Sequence, residues 1–280
     1  MTSVVQHPFV YQAGPLLVTG FGIAMLLTFV IAQIVATAEL RRRGREDIVP
    51  VMSDLTVAAV IGGLAGAKLY YVVLTGNSVF QRGGFVFWGG LVGGIAAVIA
   101  VIRWKKLSVA TLADPSAIAL AAAYAVGRTG CWAVGDDYGR PWTGPLAVSF
   151  PNGSPPSTVR HLVTDFGVKS LAGRQPDELV SVYPTQLFEV ALGLVMFAVL
   201  WRLRRHRHRD GWLFGVYCVL AGAERFVIEF FRAKDDRFLG ALTVAQGIAI
   251  AFMIAGVIIM ALRRGQARSS TTVAAAAESV

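Results

Sequence analysis

LLVTGFGIAMLLTFVIAQIVATA, residues 16–38, is followed at once by ELRRRGRED, residues 39–47, and this junction decides the class of fold. The apolar run carries no charge and is long enough to cross roughly 30 Å of hydrocarbon. The arginines after it mark a membrane boundary. No basic segment precedes the run, and it is about twice as long as the apolar core of a signal peptide, so it is expected to be retained as a helix. Outward from it, comparable runs occupy residues 51–74, 85–102, 182–201, 212–231 and 239–262. Residues 112–126 form a shorter one, interrupted near its start by Asp114-Pro115. With 55% hydrophobic residues, 15% charged residues and a mean hydropathy of +0.59, the chain reads as an all-α membrane protein of seven transmembrane helices.

The net charge of +9 raises nucleic acid as a partner, but the positions of the basic residues argue against it. Arg41, Arg42, Arg43 and Arg45 follow the first run, and Arg103, Lys105 and Lys106 follow the third. Arg202, Arg204, Arg205, Arg207 and Arg209 follow the fifth, and Arg263, Arg264 and Arg268 follow the seventh. These fifteen of the 26 basic residues occupy alternate connections, which places those connections in the cytoplasm, the N-terminus outside and the C-terminus inside. Topology and the lipid bilayer account for the charge, and no nucleic acid is expected. His206 and His208 belong to one of these basic loops and read as solvated, since neither has a cysteine or carboxylate at ligand spacing.

Residues 1–268 are expected to form a single polytopic domain, within which 128–181 make an external loop and a small external subdomain too short for an independent core. A short helix is expected around residues 158–170, and 269–280 read as a disordered cytoplasmic tail. Cys131 and Cys218 are too few for a disulfide framework and are expected to be free.

Charge inside apolar runs needs a partner or a cavity. Lys68, Glu189, Glu224, Arg225 and Glu229 are such charges, and the spacing of Arg225, Glu229 and Arg232 stacks the three on one face of a helix. That ladder is either structural or part of a site. Gln186 and Glu189 share a face just after Pro184, and Lys68 either joins the site or snorkels outward. Gly62, Gly63 and Gly66 have the spacing of a close helix contact. GGFVFWGGLVGG, residues 83–94, opens a helix with little side-chain cover, so Gly89 and Gly90 present N–H groups suited either to phosphate or to packing.

The densest chemistry lies in GRTGCWAVGDDYGRPW, residues 127–142, between an apolar run and a polar loop. Arg128, Arg140, Arg225, Arg232 and Lys68 are cations assigned to one side of the membrane, where the commonest anion is a phosphodiester headgroup. Glu189, Glu229, Asp136 and Asp137 are placed to orient guanidiniums, and one of them is able to take a proton. From the residues alone this is a phospholipid-headgroup site, without proof of catalysis.

GAKLYYV (66–72), GGFVFWGGLVGG (83–94), GRTGCWAVGDDYGRPW (127–142), YPTQLFE (183–189) and ERFVIEFFR (224–232), in that order on seven spans, resemble the prolipoprotein diacylglyceryl transferase family. The resemblance implies transfer of a diacylglyceryl group from phosphatidylglycerol to the lipobox cysteine of prolipoprotein signal peptides in the bacterial plasma (inner) membrane, with release of glycerol phosphate. It implies no metal and no organic cofactor. Arg128 and Arg225 would hold the phosphate, Glu229 and Arg232 would complete the polar ladder, and Gly130, Gly135 and Gly139 would shape the loop. Asp136 stands where the family usually has glutamate. The catalytic set implied is then Arg128, Arg225, Glu229, Glu189 and Asp136. Arg128, Gly139, Arg140, Gln186, Arg232, Lys68, Gly89 and Gly90 would line the lipid site. Trp88 and Tyr183 replace family histidines, Cys131 an asparagine and Phe21 a tyrosine, so a carboxylate or an arginine-assisted thiolate must replace histidine. The alternatives are a divergent transferase with another lipid or acceptor and a non-catalytic lipid-binding protein.

Overall fold

The computed structural model describes residues 4–80, 86–233, 237–239 and 242–265. Strand β1 is Val4–Val5, and a hairpin of β2 (Val10–Ala13) and β3 (Leu16–Thr19) leads into helix α1 (Gly20–Arg42). Then come α2 (Val51–Thr75), α3 (Phe87–Trp104) and α4 (Val109–Val134), followed by β4 (Val148–Ser149) and the short α5 (Val159–Thr164). Helices α6 (Thr185–Leu203) and α7 (Trp212–Ile228) precede β5 (Arg237–Leu239), β6 (Leu242–Thr243) and α8 (Val244–Leu262). The protein is thus a mostly helical membrane protein in which, among the described residues, six helices, α1, α2, α3, α4, α6 and α8, are long and apolar enough to cross a bilayer. The remaining long helix, α7, has 17 residues. The tail 269–280 lies outside the described residues.

Local chemistry moves several boundaries. The first apolar run does not begin as helix: residues 16–19 pair with 10–13, and Thr19 caps α1 by accepting from the Gly22 N–H. Thr243 and Gln246 form a reciprocal capping box that starts α8 five residues later than hydropathy suggests. The largest change is α4. Asp114-Pro115 does not end it, and the helix continues through Gly127 and Arg128 to Val134, where Gly135 closes it at φ +71°. Arg128–Val134 are therefore helix, not loop.

Helix α4 is the centre of the bundle. Its alanines 117, 119, 121, 122, 123 and 125 are buried, and small side chains on several faces allow α1, α6 and α7 to approach together. Helices α2 and α3 pack chiefly on each other through facing glycines: a Cβ on Gly66 would strike the Gly89 carbonyl, and one on Gly89 would strike that of Gly66. Gly89→Val is therefore expected to cost roughly 1–3 kcal/mol or more by overpacking, read as a lower thermal midpoint in detergent. An unchanged midpoint would contradict the seam.

Over the C-terminal end of α4, residues 135–183 fold around a small core in which Tyr138, Phe150, Leu162 and Val182 are almost wholly buried. That core was not expected from so polar a stretch. It is completed from outside the loop, by Trp132 of α4 and by Ala233. Parallel pairing of β1 with β4 ties the N-terminus to it.

Candidate functional site

The site forms where this cap meets α4, α6 and the end of α7. Arg128 Nη1 lies 2.9 Å from Asp137 Oδ2 and its Nη2 3.0 Å from Glu189 Oε1. Arg232 Nη2 lies 2.9 Å from the other oxygen of Asp137, and its Nε is 3.9 Å from Glu229 Oε2. Arg225 Nη2 meets that same Glu229 oxygen at 2.6 Å. The result is one chain of charge, Arg225–Glu229–Arg232–Asp137–Arg128–Glu189, assembled from four segments of sequence.

Each link has a local cause. Arg225 and Glu229 are an i,i+4 pair, but α7 ends at Ile228 with Glu229 as its C-cap, so Arg232 does not share their helical face. Instead Arg232 enters an isolated bridge with Gly139, the Arg140 N–H donates to the Phe231 carbonyl at 2.8 Å, and the Arg140 side chain donates to the Arg232 carbonyl at 2.8 Å. Gly139 is required there, since a Cβ would collide with the Phe231 carbonyl. At the start of α6, the Gln186 side chain donates to the Asp136 carbonyl at 2.5 Å and Thr185 to the Asp137 carbonyl at 2.7 Å. These bonds fix the Asp136-Asp137 backbone, with Asp137 held at φ +54°.

Two residues were under-read in the sequence. Of the two adjacent aspartates it is Asp137 that touches the arginines, whereas Asp136 Oδ1 is buried without a hydrogen-bond partner among the described residues. Tyr124 was not singled out at all. It sits one turn before Arg128, donates to Glu224 at 2.8 Å with Glu189 3.3 Å from the same hydroxyl, and places its ring 5.4 Å from the Arg128 guanidinium. Its i,i+4 spacing from Arg128 was the available signal.

Three residues assigned to lipid binding are placed by other contacts. Gly89 and Gly90 lie in the α2–α3 seam, Gly90 near the Gly63 carbonyl and Ala67, because facing glycines bring the backbones too close to leave a cradle there. Lys68 has its ammonium 5.4 Å from the Tyr71 ring on its own helix. His206 is not a solvated loop residue either: its side chain is 8% exposed and its ring lies 5.1 Å from that of Trp212 at a tilt of 46°.

Burial acts first on both aspartates and raises them, with opposite outcomes. For Asp137 the Arg232 and Arg128 guanidiniums outweigh it and hold the carboxyl below its ordinary range. For Asp136 the adjacent Asp137 charge adds to burial and brings the carboxyl up to about 6. Cys131, Asp136 and Asp137 offer ligand atoms within 4.8 Å of one another, the spacing of a metal site. Arg128 Nη1 lies beside two of the three, 3.7 Å from the Cys131 sulfur and 2.9 Å from Asp137.

A cluster of guanidiniums oriented by carboxylates is suited to hold a phosphate and stabilise charge as it leaves. Arg225 pairs with Glu229, and its side chain is 32% exposed, within reach of a ligand. Comparison with known proteins agrees with this chemistry. The profile of the prolipoprotein diacylglyceryl transferase family matches residues 8–262. The phosphatidylglycerol–prolipoprotein diacylglyceryl transferase of Clostridium tetani is 26% identical, covering 92% of this chain and 98% of its own. Proteins of the same name from Corynebacterium diphtheriae and Rhodospirillum rubrum are 27% and 30% identical, each over 92% of this chain and over 93% and 92% of their own. The chain belongs to the prolipoprotein diacylglyceryl transferase family.

Proposed function

We propose that this chain transfers a diacylglyceryl group from phosphatidylglycerol to the lipobox cysteine of prolipoprotein signal peptides, the first step of lipoprotein maturation. The observation that carries the reading is the shared ion-pair chain of Arg128, Arg225 and Arg232, within a match that spans almost the whole sequence. Arg128 and Arg225 hold the lipid phosphate. The substrate sulfur attacks the glyceryl carbon, an S–C bond forms as the C–O bond to phosphate breaks, and glycerol phosphate departs with the electron pair. Guanidiniums that gain charge to neutralise during this step lower its barrier.

The thiol proton goes to Asp136 in this scheme. Its carboxyl has an unpartnered buried oxygen and titrates near 6, so it is ionised at neutral pH yet basic enough to accept a proton. Histidine has no part: His161 pairs with Asp165 at 2.8 Å, His7 lies 3.4 Å from Asn152, and His206 and His208 stack at the far end of α4. Because the folded carboxyl is raised, Asp136 gains its proton as pH falls through about 6, and transfer is expected to decline there. Asp136→Asn should lose most of the rate at pH 7.5 and remove that acid limb. A variant with the parent rate and profile would exclude Asp136 as acceptor.

With α7 counted as a seventh span, the proposed topology has the basic connections and the C-terminus in the cytoplasm and the site and its cap outside the plasma membrane. Helix α7, though short, has Glu229 and Arg232 extending its polar end, which suits a span ending at a wet site. Cysteines introduced singly at 202–209 should resist an impermeant thiol reagent in whole cells while those at 152–157 react. The reverse pattern would invert the topology. The activity itself is tested with labelled phosphatidylglycerol and a lipobox peptide. Lipid binding without transfer would leave only a lipid-binding protein.

A further inference from the structure

At the opposite end of α4 the structure builds a second polar centre that the transferase reaction does not use. Asp114 and Arg128 are separated by fourteen positions of one helix, about 20 Å at the α-helical rise. There Arg42 at the end of α1, Arg43 and Arg45 just after it, and Arg204, Arg205 and Arg207, after α6, line one cavity of about 420 Å³. That is within the size range of small-molecule sites, about 300–1,000 Å³.

The preference for basic residues on one side of a membrane explains which connections are basic, but not why two of them enclose a concavity, nor what lies beneath it. Behind the lining arginines lie two fully buried carboxylates, Glu39 and Asp114. Glu39 accepts from Arg42 Nε at 2.8 Å and Nη2 at 2.5 Å, and from Arg43 Nε at 2.8 Å. Asp114 lies 3.3 Å from Arg43 Nη1, 3.3 Å from His206 Nε2 and accepts from the Phe214 N–H at 3.1 Å. Arg42 also donates to the Arg204 carbonyl at 2.9 Å, tying the two connections together. Two guanidiniums are thereby oriented before any ligand arrives.

The charge does not balance. Arg42 and Arg43 share Glu39, Arg43 also meets Asp114 and, at 3.4 Å, Asp210 of the cavity wall, and Arg45 pairs with Asp47 at 3.1 Å, so four carboxylates face six arginines. Arg204 stacks on the Trp201 ring, its guanidinium carbon 3.5 Å from the centroid. Arg205 and Arg207 have no carboxylate partner among the described residues, and both are exposed at the rim. Like charges gathered in a concavity repel unless an anion neutralises them.

We infer that this cavity binds a phosphate-bearing dianion, with Arg42 and Arg43 as the fixed inner donors and Arg205 and Arg207 closing over the outer oxygens. Planar guanidiniums suit bidentate phosphate contacts. The same chemistry is offered by a free phosphate compound and by the headgroup of a dianionic lipid at the adjacent membrane surface.

The test uses full-length protein and an Arg205→Ala/Arg207→Ala variant, whose exposed positions leave the buried carboxylates intact. Inorganic pyrophosphate is titrated onto each in detergent by calorimetry. Each is also reconstituted in phosphatidylcholine nanodiscs with or without diphosphatidylglycerol, and retained lipid is counted by native mass spectrometry. A loss of at least tenfold in pyrophosphate affinity in the variant identifies the free anion. Loss of one retained diphosphatidylglycerol identifies the lipid. If parent and variant behave alike in both arms, or neither binds, the site is refuted. Because Arg205 and Arg207 lie far from Arg128, this result is independent of whether transfer occurs.

Discussion

Arg128→Ala is expected to reduce diacylglyceryl transfer to background. Arg128 joins α4 to Asp137 at 2.9 Å and to Glu189 at 3.0 Å, and Tyr124 flanks its plane. A charge-assisted contact to the lipid phosphate is worth roughly 1.5–3 kcal/mol, or about 10–150-fold in rate if made only in the transition state. Truncation adds a second cost, because the wholly buried Glu189 loses its cationic partner, and breaking comparable buried pairs costs about 3–5 kcal/mol. Arg128→Lys separates the two effects. It returns a positive charge but not the planar fork that spans Asp137 and Glu189, so its thermal midpoint should recover more than its rate. Full activity in Arg128→Ala, measured with labelled phosphatidylglycerol and a lipobox peptide, would remove the arginine from the mechanism.

The second large effect is expected at Asp137. Its two oxygens bridge Arg128 and Arg232, each at 2.9 Å, and so couple the end of α4 to the segment after α7. Asp137→Asn retains a residue that tolerates the left-handed backbone at φ +54° while removing the charge. Two guanidiniums then repel across the site, and transfer should fall by about 10–100-fold, which corresponds to ~1.4–2.7 kcal/mol. Asp137→Ala adds roughly 1–2 kcal/mol of backbone strain and should be less stable than the asparagine variant. In a double-mutant cycle with Arg232→Gln, a coupling of about 0.5–3 kcal/mol is expected, and additivity would show that the bridge does not matter. The pH behaviour has a definite sign. Because the folded Asp137 carboxyl is held low, the stability it contributes is present above its unfolded value near 3.9 and is lost as pH falls through the lower folded value.

The class of protein and the residues of the charge cluster were legible in the sequence because both rest on local signals. Uninterrupted apolar length gives spanning helices, and charge within or beside such a run needs a partner wherever it sits. Arg128, Glu189, Arg225, Glu229 and Arg232 were all visible on that ground. Helix ends were less legible, since Thr19, Gly135 and Thr243 set them by capping bonds that hydropathy does not register.

What the sequence by itself determined, then, was a polytopic helical protein with arginines and carboxylates at one end of its bundle. Which carboxylate meets which arginine was decided by the tertiary structure. Asp136 and Asp137 are neighbours of identical chemistry, and only the Gln186 and Thr185 bonds to their carbonyls turn one toward Arg128 and Arg232 and leave the other's oxygen unpartnered. Facing glycines likewise settled the two readings of Gly89, because a ligand cradle and a helix seam use the same residue and differ only in what stands opposite. Glu39 and Asp114 came to lie behind a second basic cavity for the same reason: pairing depends on distances between segments far apart in the chain, and those distances exist only once the helices have packed.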